Sequence, residues 1–182
     1  MENQQVAKIE IITLGGGCFW CLDAVYRQVR GVLQVETGYM GGPVAQPTHA
    51  QVAEGNTGHA QVVRLAFDPA IVGYHDLLEV FFTSHDPTTA DRQGNDLGSQ
   101  YRSVIFTHSA RQDAVARQVI AEMAAVWDAP IVTQVLPAQS WYRAADEQQD
   151  HVARHPFASY SILVAAPRVD QFRALHPALA KS

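Results

Sequence analysis

Cysteine is scarce in this chain, and so is positive charge. Two cysteines in 182 residues cannot build the disulfide framework of a small secreted domain. Thirteen Lys and Arg against eighteen Asp and Glu leave a net charge of −5. That argues against a nucleic-acid or anionic-membrane binder, which usually carries a basic stripe, so neither partner is expected. Long apolar runs are missing as well. The run at residues 162–166 falls far short of the roughly 20 residues that cross a bilayer. The first ten residues show neither a basic n-region nor an apolar h-region, so no secretory signal is expected. With 47% hydrophobic and 17% charged residues, the chain belongs to the globular class rather than the disordered one. At about 150 residues per domain, one domain over residues 1–182 is expected, large enough to bury a core without a metal or disulfide staple. A monomer in the cytoplasm is the default reading, and there a pair of thiols points to catalysis, redox chemistry or metal binding.

The pattern of residues predicts alternating strands and helices. Residues 6–14 are rich in β formers. A run of three glycines, Gly15, Gly16 and Gly17, breaks them. Residues 18–29 then show helical spacing through Leu22, Val25, Tyr26 and Val29, with Gly31 where a helix stop belongs. Further strands are expected over 31–39, 61–67, 101–107, 131–136 and 159–166. Helices are expected over 74–83, from Ser109 with a Ser109–Gln112 capping box, and over 144–154. The polar stretch 85–100 reads as a long loop, and such loops are commonly functional. Together these predict an α+β fold, one sheet with helices packed on it.

The strongest local feature is Gly16-Gly17-Cys18-Phe19-Trp20-Cys21. Cys18 follows a glycine loop and opens a helix, where free N–H groups and the helix dipole favour negative charge. A thiol in such a place can have its pKa lowered from about 8.5 into the range of about 3.5–7.5. Cys21 is one helical turn on and shares its face, within disulfide range. Three readings fit the spacing: a redox dithiol, half of a metal site completed by histidines, or two cysteines used simply for packing. The glycine run matches neither phosphate-binding fingerprint.

Five further segments carry too many special residues to be filler: Gly38-Tyr39-Met40-Gly41-Gly42, Pro47-Thr48-His49, Thr57-Gly58-His59-Ala60-Gln61, His85-Asp86-Pro87-Thr88, and the stretch from Arg92 to Ser103. With the cysteine motif, in this order and spacing, they resemble the A-type peptide methionine sulfoxide reductases. The likeness is densest from Ile11 to Thr107 and continues more weakly to Ala180. It implies a two-layer α/β sandwich with a ferredoxin-like core and a mixed sheet. It also implies reduction of methionine-S-sulfoxide, free or in a protein, with no cofactor and no metal, and with thioredoxin as reductant. By position Cys18 would be the nucleophile that becomes a sulfenic acid. Cys21 would resolve it, being the only other thiol. Phe19 and Trp20 would wall the sulfoxide methyl group. Asp96 and Tyr101 would orient the substrate, Tyr101 counting with Gln61 and His49 as catalytic, and His59 would help bind the substrate.

Two positions depart from the family pattern. The family's acidic residue after Thr-Gly-His-Ala is Gln61, which offers a hydrogen bond but no titratable proton. The family's tyrosine after Pro-Thr is His49, which at its ordinary pKa could carry that proton near neutrality. Two alternatives therefore stand beside a working reductase. One is an impaired or substrate-trapping homologue that binds sulfoxide. The other is a disulfide oxidoreductase of the C-x-x-C kind.

Overall fold

The structure is a computed structural model that describes residues 8–182. In chain order it contains β1 (Glu10–Gly15), α1 (Phe19–Tyr26), β2 (Val32–Met40), α2 (His49–Ala53), β3 (Ala60–Phe67), α3 (Tyr74–Ser84), β4 (Arg92–Gln93), β5 (Asp96–Leu97), β6 (Val104–Thr107), α4 (Ala110–Met123), β7 (Gln134–Pro137), β8 (Tyr142–Arg143), α5 (His151–Arg154) and α6 (Ala166–Leu175). The strand expected over 6–14 begins at Glu10; Val6 and Ala7 lie outside the described residues.

Six strands form one sheet in the order β7-β6-β1-β3-β2-β8. The central four, β6-β1-β3-β2, pair antiparallel throughout. Each helical crossover, β1-α1-β2 and β3-α3-β6, skips one strand. This is the split βαβ arrangement of a ferredoxin-like core. On one edge β7 runs parallel to β6, which makes the sheet mixed, as expected. The β6-α4-β7 crossover that joins them requires a helix.

The alternation along β3 shows how the sheet is used. Val63, Leu65 and Phe67 face the helices and join Ile12, Leu14, Leu22, Phe81 and Val119 in the main core. Ala60 and Val62 face the other way. They pack with Met40, Val104 and Phe106 beneath Leu136 and Trp141. Gln61 has the same parity as Val63, so it points into the helix layer, where α1 begins.

Several elements differ from the sequence reading for identifiable reasons. The strand predicted over 159–166 is helical. A widened turn over Ser161–Ala165 runs straight into α6. Ser161 and Ala165 are buried, while Ile162, Leu163 and Val164 between them are exposed. That is helical rather than alternating use of a short apolar run, which periodicity alone does not resolve. The helix predicted over 144–154 breaks at Gln149 and Asp150. Gln149 uses its side-chain amide as a strand would use its backbone, accepting from Thr37 N–H at 2.8 Å and donating to Thr37 C=O at 3.0 Å. Asp150 turns left-handed (φ 50°) before α5 starts. The loop over 85–100 contains the small β4–β5 hairpin. Short α2 was not expected, although Thr48 and Gln51 form its capping box.

Candidate active site

The site is built where β1 hands over to α1. Gly17 has φ +87°, and a Cβ there would stand 2.6 Å from the Gln93 side chain. Only glycine lets the chain turn this tightly under the β4–β5 hairpin. Its N–H donates to Tyr101 C=O at 3.2 Å, tying the hairpin region to the cysteine loop. The turn delivers Cys18 as the N-cap of α1, with its side chain free of any capping bond. Cys21 lies one turn on, and its N–H donates to Cys18 C=O at 3.2 Å. Both thiols are free, 9% and 7% exposed, and both line one cleft of about 360 Å³. His85, Asp96, Tyr160 and Arg168 line it with them.

Burial decides the state of these thiols. It pushes Cys18 up to about 12; the Trp20 N–H and a hydrogen bond from the Tyr160 hydroxyl pull the other way, and the Asp96 and Cys21 charges add to the rise. Cys21 is pushed up to about 11, again by burial, with Arg168 opposing. The lowering that a helix start can give a thiol is not realised here. The helix N-terminus is present, but desolvation outweighs it. At neutral pH both sulfurs hold their protons.

Aromatic groups gather around the first turn of α1. The Phe19 ring lies 5.6 Å from Tyr39 and 5.7 Å from His49. Trp20 stacks on His151 at 3.7 Å and meets the edge of Tyr160 at 5.5 Å. Its indole N–H donates to Gln148 Oε1 at 2.9 Å. Gln61 is buried, and its Oε1 accepts the Phe19 N–H at 3.2 Å. One orphan N–H at the helix start is thereby satisfied, and the amide nitrogen is the donor that Gln61 has left.

His49 opens α2 and shares a 3.2 Å hydrogen bond with the Tyr39 hydroxyl through Nδ1. Burial lowers its pKa, with Glu147 opposing. Burial thus makes the ring a weaker carrier of a proton near neutrality than a free imidazole. The place assigned to His59 also needs correcting. It is buried, its Nε2 bonds Val44 C=O at 2.6 Å, and its Nδ1 accepts Gly42 N–H at 3.0 Å. With both nitrogens occupied it pins Gly42 and Val44 in the loop after β2.

Asp96 sits on β5 at the cleft, and burial raises its carboxyl pKa. Tyr101 is raised by burial and then by the Asp96 and Cys18 charges, which places it in the same electrostatic neighbourhood. The sequence reading missed Tyr160, Arg168 and His151 as site residues and left Tyr39 without a role. Tyr39 had a signal, the Gly-Tyr-x-Gly-Gly segment. Tyr160 was hidden by the strand assigned to residues 159–166, and Arg168 lies just beyond it, in a helix the sequence reading did not assign. Among the described residues, His75, Glu79 and Glu122 are the one group close enough together to share a metal ion. They lie on the outer side of α3 and α4, and His75 already bonds Glu122 at 2.8 Å.

Two thiols on the first turn of a helix, in one cleft with a tyrosine, a carboxyl group and a guanidinium, define a dithiol oxidoreductase on a ferredoxin-like α+β scaffold. The comparisons narrow that class. The sequence model of the family "Peptide methionine sulfoxide reductase" matches residues 10–179. A peptide methionine sulfoxide reductase MsrA of Granulibacter bethesdensis is 50% identical over 167 residues, covering 91% of this chain and 90% of the relative. Reduced Mxr1 of Saccharomyces cerevisiae superposes with a TM-score of 0.80 at 30% identity, over 85% of this chain and 90% of that one. Mxr1 solved in complex with Trx2 superposes with a TM-score of 0.58 at 25% identity, over 81% and 87%. This chain belongs to the peptide methionine sulfoxide reductase family. Its activity is the thiol-dependent reduction of methionine sulfoxide.

Proposed function

We propose that Cys18 is the nucleophile and Cys21 the resolving thiol in reduction of the S epimer of methionine sulfoxide, with a thioredoxin restoring both. The observation that supports this most is the placing of both sulfurs in one cleft, one helical turn apart, with Cys18 uncapped at the helix start.

The chemistry follows from the protonation state. The Cys18 sulfur attacks the electrophilic sulfur of the sulfoxide. The oxygen leaving that sulfur needs a proton, and the resting Cys18 thiol carries one. Thiol plus sulfoxide gives sulfenic acid plus thioether with no net proton taken up. This is how the site works without a carboxylic acid at position 61. Gln61 offers an amide N–H to the oxygen as it develops charge. Asp96 and Tyr101 orient the substrate, and Phe19 and Trp20 receive its methyl group. Cys21 then attacks the sulfenic sulfur, a disulfide forms, and the hydroxyl departs as water. The neighbouring thiol also protects Cys18 from further oxidation.

Electrons come from thiols throughout, so no cofactor is required. Mxr1 in complex with Trx2 supports a thioredoxin as the source. A reducing compartment, the cytoplasm, keeps such a cycle running. All the reacting groups belong to one chain and one domain, so a monomer suffices.

The test is a single turnover without added reductant, run separately with the S and R epimers of a methionine sulfoxide peptide. The reading expects about one methionine per chain from the S epimer only, with both thiols lost. Retention of both thiols and no methionine would support a sulfoxide-binding protein that does not turn over.

A further inference from the structure

The two thiols of the cleft are not equivalent in what opposes their burial. At Cys18 it is a backbone N–H and the Tyr160 hydroxyl. At Cys21 it is a full positive charge, Arg168. Arg168 lies in the first turn of α6, directly after Pro167, and is partly buried. Its guanidinium is fixed at both ends. Nη1 donates to Ser84 C=O at 2.7 Å, and Nη2 lies 3.5 Å from Gln93 Oε1. Gln93 is itself held by Asp86, whose N–H donates to its Oε1 and whose C=O accepts from its Nε2, both at 3.0 Å. A charge on a flexible stem is thus locked into the wall of a cleft whose other ionisable lining groups are Cys18, Cys21, His85, Asp96 and Tyr160. His85 is held neutral by burial, which lowers it to about 4, and Tyr160 is held protonated. Asp96 acts on Cys18. Arg168 is therefore the cation that this cleft presents to Cys21.

We infer that Arg168 is a positioning residue for the second half of the reaction, stabilising Cys21 as a thiolate when it attacks the Cys18 sulfenic acid. The inference rests on Cys21 being the resolving thiol. In that step the Cys21 thiol gives up its proton, and its sulfur forms a bond to the Cys18 sulfur. The Cys18 S–O bond breaks, and the hydroxyl leaves with the proton as water. Cys21 is oxidised and the sulfenic sulfur is reduced. Unlike the sulfoxide step, in which the thiol proton travels with the sulfur to the oxygen, this step is faster from the thiolate, so a fixed cation beside Cys21 raises the fraction able to react. The same charge favours Cys21 as the leaving thiolate when a reductant attacks the disulfide at Cys18, since a more stable thiolate leaves faster.

The experiment separates the two phases of a single turnover by rapid quench. Methionine released reports the first phase, and thiols lost report the second. In Arg168→Gln the methionine phase should keep its amplitude of one per chain. The thiol-loss phase should slow roughly tenfold at pH 7, the effect of one pKa unit on the thiolate fraction, and its pH profile should move to higher pH. A sulfenic acid should accumulate and be captured by a cyclic dione such as dimedone. Arg168→Lys keeps the charge and should restore most of the second-phase rate. Thiol loss in Arg168→Gln at the parent rate across the pH range would overturn the inference. So would equal slowing of both phases with an unmoved pH profile, which would mark Arg168 as merely a latch between α6, Ser84 and Gln93. A parent protein that releases no methionine would instead bring down the reading of the thiol pair itself.

Discussion

One side of Cys18 is built from the sheet and α1, the other from the irregular chain between β8 and α6. The first side consists of Phe19, Gln61 and Tyr39, buried residues on regular elements. Tyr39 and Gln61 are register partners on β2 and β3. The second side consists of Tyr160, Arg168 and His151, placed by a four-residue helix, a widened turn and the first turn of α6. Three of its neighbours, Ile162, Leu163 and Val164, are exposed. The sheet side sets where the nucleophile stands and what the sulfoxide meets. The irregular side sets the charge and hydrogen bonding that the two sulfurs feel. Position and electrostatics are thus supplied by structurally different parts of the molecule, and substitutions on the two sides should fail differently.

The largest effect is expected at the centre of the sheet side. Cys18→Ser should abolish methionine formation, whereas Cys21→Ser should still release one methionine and then stop with a sulfenic acid that dimedone traps. A thiol count after one equivalent of substrate distinguishes them. Next comes Gln61→Glu. Restoring a carboxylic acid at this buried position should raise the rate of methionine release by roughly 10²-fold, the lower end of the usual gain from a placed general acid. It should also introduce a decline in rate as pH rises past that carboxyl's pKa. No gain would mean that the amide's bond to the Phe19 N–H matters more than the missing acid.

A smaller effect should follow on the irregular side. Tyr160→Phe removes a hydroxyl that lines the cleft and hydrogen-bonds the Cys18 sulfur, holding it in place for attack. A neutral hydrogen bond is worth about 1 kcal/mol, so the methionine phase should slow about fivefold with thermal stability little changed. A loss of stability without a rate change would assign Tyr160 to packing.

The smallest effect tests the scaffold beneath both sides. His85 is buried, its Nδ1 bonds Phe81 C=O and its Nε2 bonds Ser103 Oγ. Its folded pKa is lowered from 6.5 to about 4, chiefly by burial. The unfolded chain therefore binds more protons between those values, and stability is lost as pH falls from 6.5 towards 4. Asp23 works in the opposite sense. Burial raises it from 3.8 to about 6, so the folded chain gains stability as pH falls through that window. His85→Asn should remove the destabilising limb and leave the Asp23 gain visible in urea midpoints measured from pH 7 to pH 4.

The difference between the two sides also explains what the sequence made legible. The glycine run, Cys18, Cys21 and the β-rich runs stand out because strand and helix periods are local and Gly17 answers a local backbone demand. The likeness to a known family added Gln61, Asp96 and Tyr101 at positions the structure gathers around the cysteines. Tyr160 stayed hidden because a short apolar run fits a strand as well as a helix, and Arg168 because the helix that follows that run was not assigned. The thiol states were also out of reach. A cysteine at a helix start predicts a lowered pKa, but burial is a tertiary property, and here it reverses the sign. His59 shows the same limit, since a motif position gave it a functional place while its two hydrogen bonds give it a structural one.

The central claim is that the resting Cys18 thiol supplies the proton that a carboxylic acid would otherwise give. The most direct measurement is the rate of methionine release in a single turnover, followed from pH 6 to pH 9 with the S epimer. A thiol that carries its own proton to the sulfoxide oxygen predicts a flat profile across that range. A rate that climbs about tenfold per pH unit, tracking the thiolate fraction of a group near 12, would show that Cys18 attacks without bringing its proton, and would contradict the account.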